Sequence, residues 1–325
     1  LAALVLVGGC SSVGVVTEQW HIDGSHPDYP PSRFVVGIGF GDSAQQADDM
    51  ARGEVSKFFQ ASVVSVTREE EIYHQKREQG VTQLQQSFES RTYTRVRGEA
   101  KLEGVEIPLR TQELGRYYSL AVLDKPRFTS RLRRELMDLD MKIQESMQAD
   151  AGTPAQRIRH LARVVRLLQK RVDLARRLRV LGFAATLDPE TYDGVLMELH
   201  GLLVSHYSMT VRSDSPEVSA FLVEALRKEG FHVLDGDSEL PVVLVTVDMQ
   251  TETRPDGRMT EVFYQTVFTC LFDGRQVAVR RLSERMKHID ELNARQKAFY
   301  EMRDKGVVPF VEAIRREFLG SDEEE

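Results

Sequence analysis

The chain has 325 residues, 41% of them hydrophobic and 29% charged, which is enough for two compact units, each with its own core. Its formal net charge of -7 argues against general nucleic-acid binding. Only two cysteines, Cys10 and Cys270, occur in it, which excludes the disulfide framework of small secreted domains.

The chain opens with the apolar run Leu1 to Val7, then Gly8-Gly9-Cys10-Ser11-Ser12. An apolar segment, two small residues and a thiol form the pattern of a bacterial lipoprotein signal. The small pair lets a peptidase reach the backbone, and the thiol accepts a diacylglycerol thioether. This reading makes 1–9 a signal-peptide remnant and Cys10 the lipidated first residue of the mature chain. The run is far too short to span a bilayer as a helix of about 20 residues. With no initiator Met or basic stretch before it, the sequence is expected to start inside a precursor. The competing reading is a frayed strand with an incidental cysteine.

Residues 10–32, with Gly24, Pro27, Pro30 and Pro31, read as a low-order tether. In it, Trp20 and Tyr29 suit either the headgroup region or packing against the first domain. That domain, 33–124, opens with the strand Arg33 to Phe40 and a glycine-punctuated turn, after which Asp42 and Gln45 are placed as a capping box. Ala44, Ala47, Ala51, Val55 and Phe58 then make one apolar helix stripe. Strand-like composition recurs at 63–68, 90–102 and 113–123, whereas 69–86 suits strand ends, a hairpin or a helix. The order is β-α-β-β-β.

The residues Phe34-Val35-Val36-Gly37-Ile38-Gly39-Phe40-Gly41, Ala47, Ala51 and Arg52, and the strand Tyr117-Tyr118-Ser119-Leu120-Ala121-Val122-Leu123-Asp124 together resemble the Lpp-twenty family of bacterial lipoproteins. The resemblance covers about 33–124 and the lipidation motif. It implies an outer-membrane lipoprotein module, in some members associated with flagellar basal structures, with no enzymatic activity. It says nothing of the chain beyond residue 125.

In 125–186, Phe128, Leu132, Leu136, Leu139, Ile143 and Met147 form one stripe, and Ile158, Leu161, Val165, Leu168, Val172 and Ala175 form another. The breaker Asp150 to Pro154 lies between them, with Thr153 as N-cap, Pro154 first in the helix and Gln156 completing a box. These features predict an antiparallel helical hairpin. The third unit, 187–320, reads as a helix over 192–204, a strand over 207–212 and a helix capped by Ser215-Pro216 and ended by Gly230. A short strand over 231–234, strands over 240–249, 261–272 and 276–286, and helices over 292–304 and 308–318 follow. Residues 321–325 are an acidic tail. The fold class is α+β: two small α+β domains separated by an antiparallel helical hairpin.

No catalytic constellation stands out. Gly37, Gly39 and Gly41 miss dinucleotide spacing, because the third glycine comes one residue early and no Lys-Ser or Lys-Thr follows. They are expected instead to let backbones pass closely. The eight histidines lack zinc spacing, although His21 and His26 with Asp23 and Asp28 suit adventitious metal. Cys270, in an aromatic and β-branched strand, is expected to be buried and inert. No catalytic residue, cofactor beyond the lipid on Cys10, metal site, nucleic acid or small-molecule substrate is expected.

The unusual feature is the basic second hairpin helix, whose Arg159, Arg163, Arg166, Lys170 and Arg177 form a candidate face for an anionic partner. Each such residue near a charged membrane adds at most about 1 kcal/mol. The alternative is a solvated face paired with Glu135, Asp138, Asp140 and Glu145. Ser11 after the cysteine points, by the sorting rule of the lipoprotein class, to an outer-membrane, periplasm-facing location. The expected role is a lipid-anchored, non-enzymatic envelope scaffold or assembly factor acting by self-association or a protein partner. The alternative is a periplasm-facing regulatory module for a cell-wall, secretion or motility machine.

Overall fold

In the computed structural model, the described residues are 20–71, 81–89, 103–149, 152–183, 189–235, 243–256 and 258–321. The fold is α+β and divides into two units. The first takes in 20–64 and 103–131, and the second takes in 65–71, 81–89 and the described residues from 132 onward. Cys10, the expected strand over most of 90–102 and the acidic tail beyond Ser321 lie outside the described residues.

The first unit is built on a three-stranded antiparallel sheet of β1 (Phe34–Gly41), β2 (Glu106–Glu113) and β3 (Arg116–Asp124), in the order β1-β3-β2. Helix α2 (Ala44–Glu71) covers one face with Ala47, Ala51 and Val55, all fully buried. Period two puts Val35, Gly37, Gly39 and Gly41 toward that helix. A Cβ on Gly39 would lie 2.1 Å from the Ala51 nitrogen, and one on Gly37 2.4 Å from the Ala51 carbonyl oxygen. The glycines therefore bring strand and helix backbones together. The cap falls one residue later than expected: Ser43 Oγ accepts from the Gln46 N–H, and Gln46 Oε1 accepts from the Asp42 N–H.

The opposite sheet face carries Leu120, Val122, Val36 and Ile38, and Trp20 packs on it with Tyr29. This corrects the expected low-order tether over its described part. Helix α1 (Trp20–Asp23) and the segment that follows are packed, with Trp20 and His26 both buried. The expected strand at 63–68 is also corrected, since α2 continues through it to Glu71. The strand expected over 113–123 is present as β3 from Arg116, and the unexpected strand β2 precedes it across a turn at Leu114 and Gly115, whose φ angles are 51° and 81°.

In the second unit, residues 81–89 are helical (α3), followed by α4 (Lys125–Gln148), whose later turns belong here, and α5 (Pro154–Val180). Thr153 caps α5 as expected. Its Oγ1 accepts from the Gln156 N–H at 3.2 Å, and Gln156 Oε1 accepts from the Thr153 N–H at 3.0 Å. The two helices run antiparallel, with Arg171 paired to Asp140 and the His160 ring against the Ser146 carbonyl. Burial on α5 is wider than one stripe, because Val164, Leu167, Leu174 and Leu178 are enclosed along with the expected positions, of which Val172 alone is half-buried. The reason is that α5 also packs against α6 (Pro189–His206) and the last helix.

The four-stranded sheet has the order β4-β5-β6-β7, formed by β4 (Met209–Ser213), β5 (Val243–Asp256), β6 (Met259–Phe272) and β7 (Arg275–His288). Strand β4 is parallel to β5 through the crossover helix α7 (Pro216–Lys228), and the others pair antiparallel. The expected strand over 231–234 is reduced to a single bridge between Met209 and Val233. Helix α8 (Glu291–Met302), a π-helical turn (Arg303–Val307) and α9 (Val308–Leu319) complete the unit. Gly306 lets the π turn approach the Phe268 ring, to which a Cβ would come within 2.9 Å.

Candidate interaction surface

The basic residues of α5 do not form one solvent-facing stripe. Arg166 is only 8% exposed, and its Nη1 donates to the Leu319 carbonyl at 3.3 Å. Arg159 Nη2 donates to the Glu317 carbonyl at 2.8 Å and to its carboxylate at 3.3 Å. Both guanidinia thus cap the C-terminal end of α9, where unsatisfied carbonyls carry partial negative charge. Arg177 pairs with Asp173 one turn back at 2.8 Å, Lys170 is half-buried, and Arg163 is exposed. The expectation of a continuous anion-facing surface is therefore corrected in physical terms: two of its five members hold α9.

Among the acids expected to neutralise that helix, only Asp140 does so, through Arg171. Glu135, Asp138 and Glu145 stand exposed on α4, alongside Arg134, Lys142 and the exposed Met137 and Met141. This surface is hard to see in the sequence because the buried stripe dominates the helix's periodicity. The available signal was a methionine pair four residues apart, off that stripe.

Other charged groups, partly or fully buried at one partner, secure the fold. In the first unit, Arg110 donates twice to Asp48, at 2.9 and 2.8 Å, and Ser119 Oγ donates to it at 2.6 Å. The Arg110 hydrogen bonds outweigh partial burial and, with Ser119, hold the Asp48 carboxyl below its ordinary value. Asp124 is lowered chiefly by the Arg127 backbone N–H, the N-terminal bond of α4 that it caps, and also by Arg33.

In the second unit, Glu229 accepts from Ser87 Oγ at 2.6 Å and lies 3.5 Å from the buried Arg315, whose guanidinium sits 5.4 Å from the Phe88 ring centre. Burial pushes the Cys270 thiol up to about 12, and the side chain is fully enclosed. Tyr264 is likewise raised to about 12 by burial. Among the described residues, no group of three or more His, Cys, Asp or Glu is placed to hold a metal, and no helix is long and apolar enough to cross a membrane. Gly37, Gly39 and Gly41 face α2 and frame no loop for a phosphate.

No protein-family model matches the chain, and no curated protein matches it by sequence. Among solved structures, it is similar to a secreted protein of Helicobacter pylori at 15% identity, covering 89% of this chain and 99% of that one with a TM-score of 0.37. A minor lipoprotein of Acinetobacter baumannii follows at 14% identity, over 35% of this chain and 91% of that one, with a TM-score of 0.24. Rare lipoprotein B of Shewanella oneidensis stands at 12% identity, over 33% and 91%, with a TM-score of 0.23. At these scores the likenesses carry nothing about what this chain does.

Proposed function

We propose that the chain is a lipid-anchored, non-enzymatic scaffold or assembly factor of the bacterial envelope, held to a membrane through Cys10 and acting by self-association or partner contacts. The observation that carries this reading is the apolar run ending in Gly8-Gly9-Cys10-Ser11-Ser12, followed closely by folded structure at the buried Trp20. An extended chain from Cys10 to Trp20 reaches at most about 35 Å, so the first unit works close to the bilayer. The placement of Asp48, Arg166 and Arg315 supports a structural use of the interior charges. Outer-membrane placement facing the periplasm, and an Lpp-twenty-like module over 33–124, belong to the same proposal.

A second reading, a periplasm-facing regulatory module, is favoured by an open cleft of about 800 Å³ between α3 and α7, lined by Gln83, Gln86, Ser219, Glu224 and Arg227. The readings separate on self-association: a self-associating scaffold forms multimers, whereas the regulator is monomeric and captures one partner. The anchor is tested by Cys10→Ala, which is expected to move the protein from the membrane to the soluble periplasmic fraction. A variant that stays with the membrane would remove the basis of the proposal.

A further inference from the structure

We infer that the outer face of α4 is a self-pairing surface, on which a second copy of this chain lays its own α4 antiparallel. This deepens the scaffold reading and rests on it. Helix α4 turns Leu132, Leu139 and Ile143 inward. At about 100° per residue, Arg134, Met137, Met141 and Glu145 lie on the opposite arc, with Asp138 and Lys142 along one flank of it, all exposed.

Two observations mark this arc as a contact surface. Met137 and Met141 are 66% and 56% exposed, one turn apart, and unbranched thioether side chains suit an adaptable apolar contact. Among the described residues, the charged side chains of Arg134, Asp138, Lys142 and Glu145 have no hydrogen-bond or ion-pair partner, although Arg134 and Asp138, and Asp138 and Lys142, stand one turn apart.

Their order along the helix identifies the occupant. When a helix pairs antiparallel with its own copy across a two-fold axis, residues equidistant from the axis meet. Arg134 with Glu145, Asp138 with Lys142, and Met137 with Met141 all centre beside Leu139 and Asp140. One axis therefore brings Arg134 to the partner copy's acid, Asp138 to its lysine and methionine to methionine, each contact twice. Parallel pairing would set like charge on like charge. Anchoring both copies in one membrane raises their effective concentration, so a contact of this modest size suffices.

The test is sedimentation velocity of the full chain in density-matched detergent, comparing wild type, Arg134→Glu, Arg134→Glu with Glu145→Arg, and the exchange Asp138→Lys with Lys142→Asp. Far-UV circular dichroism checks that each variant keeps its helix content. The inference predicts a concentration-dependent dimer or higher multimer that Arg134→Glu weakens by about tenfold, that adding Glu145→Arg restores, and that the Asp138 and Lys142 exchange leaves intact. Association unchanged by Arg134→Glu overturns the α4 pairing and leaves the scaffold reading standing. So does a single variant whose loss the Glu145→Arg exchange fails to repair. A wild-type chain that stays monomeric at every concentration overturns the α4 pairing and, with it, the self-associating form of the scaffold reading.

Discussion

Asp48 shows how one side chain ties a helix to a sheet. It sits on α2, takes two hydrogen bonds from Arg110 of β2 and one from Ser119 of β3, and so spans both strands. Because its folded pKa lies below the ordinary 3.8, the carboxylate contributes stability that is fully present above that value and lost as pH falls through the folded pKa. Asp48→Asn should therefore be less stable than wild type at pH 7, and the difference should narrow in urea denaturation below about pH 4. A gap that stays constant into acid would show that the ion pair adds nothing. This triad was not legible in the sequence, since Asp48 and Ser119 lie 71 residues apart and Arg110 lies on a strand too polar to recognise. Cys270 was legible, because its aromatic and β-branched neighbours already placed it in a core strand, and it is fully enclosed.

At the scale of elements, the tightest requirement is the β1–α2 approach. Gly39→Ala would drive a Cβ to 2.1 Å from the Ala51 nitrogen and 2.3 Å from the Ala47 carbonyl oxygen, both backbone atoms with no rotamer to yield. The expected cost exceeds about 3 kcal/mol, read as a large fall in melting temperature; a change of under about 1 kcal/mol would contradict the packing. The sequence announces this contact through glycines in the strand and alanines in the helix stripe. It also announces local chemistry well. Thr153-Pro154-Gln156 starts α5, Ser215 with Pro216 starts α7, and Asp273-Gly274, with φ angles of 49° and 72°, turns β6 into β7. It misleads at 63–68, where β-branched residues suggest a strand. Their cost inside a helix is only a few tenths of a kcal/mol each, and a helix already nucleated at Ala44 carries through them. The polar β2 strand fails for the opposite reason, because Pro108 interrupts it between Ile107 and Leu109, its only two strongly apolar residues.

For the whole molecule, the division of labour between the two charged helices is what sequence inspection could not supply. Clustered arginines on α5 suggested an external anion, yet Arg159 and Arg166 cap α9 from 158 and 153 residues away in sequence. Among the described residues, α4 carries exposed charges without a partner, including Arg134, Asp138, Lys142 and Glu145, and only the burial of both helices distinguishes the two roles. Anchorage at Cys10 and association between copies are proposals that one experiment can test together. The most direct measurement is chemical cross-linking in intact cells, followed by mass spectrometry of the protein recovered from their membranes. The account predicts a mature chain starting at an acylated Cys10 and cross-links joining α4 of one copy to α4 of another. An unmodified Cys10 within a longer peptide, or a chain cross-linked only to a foreign protein, would contradict it.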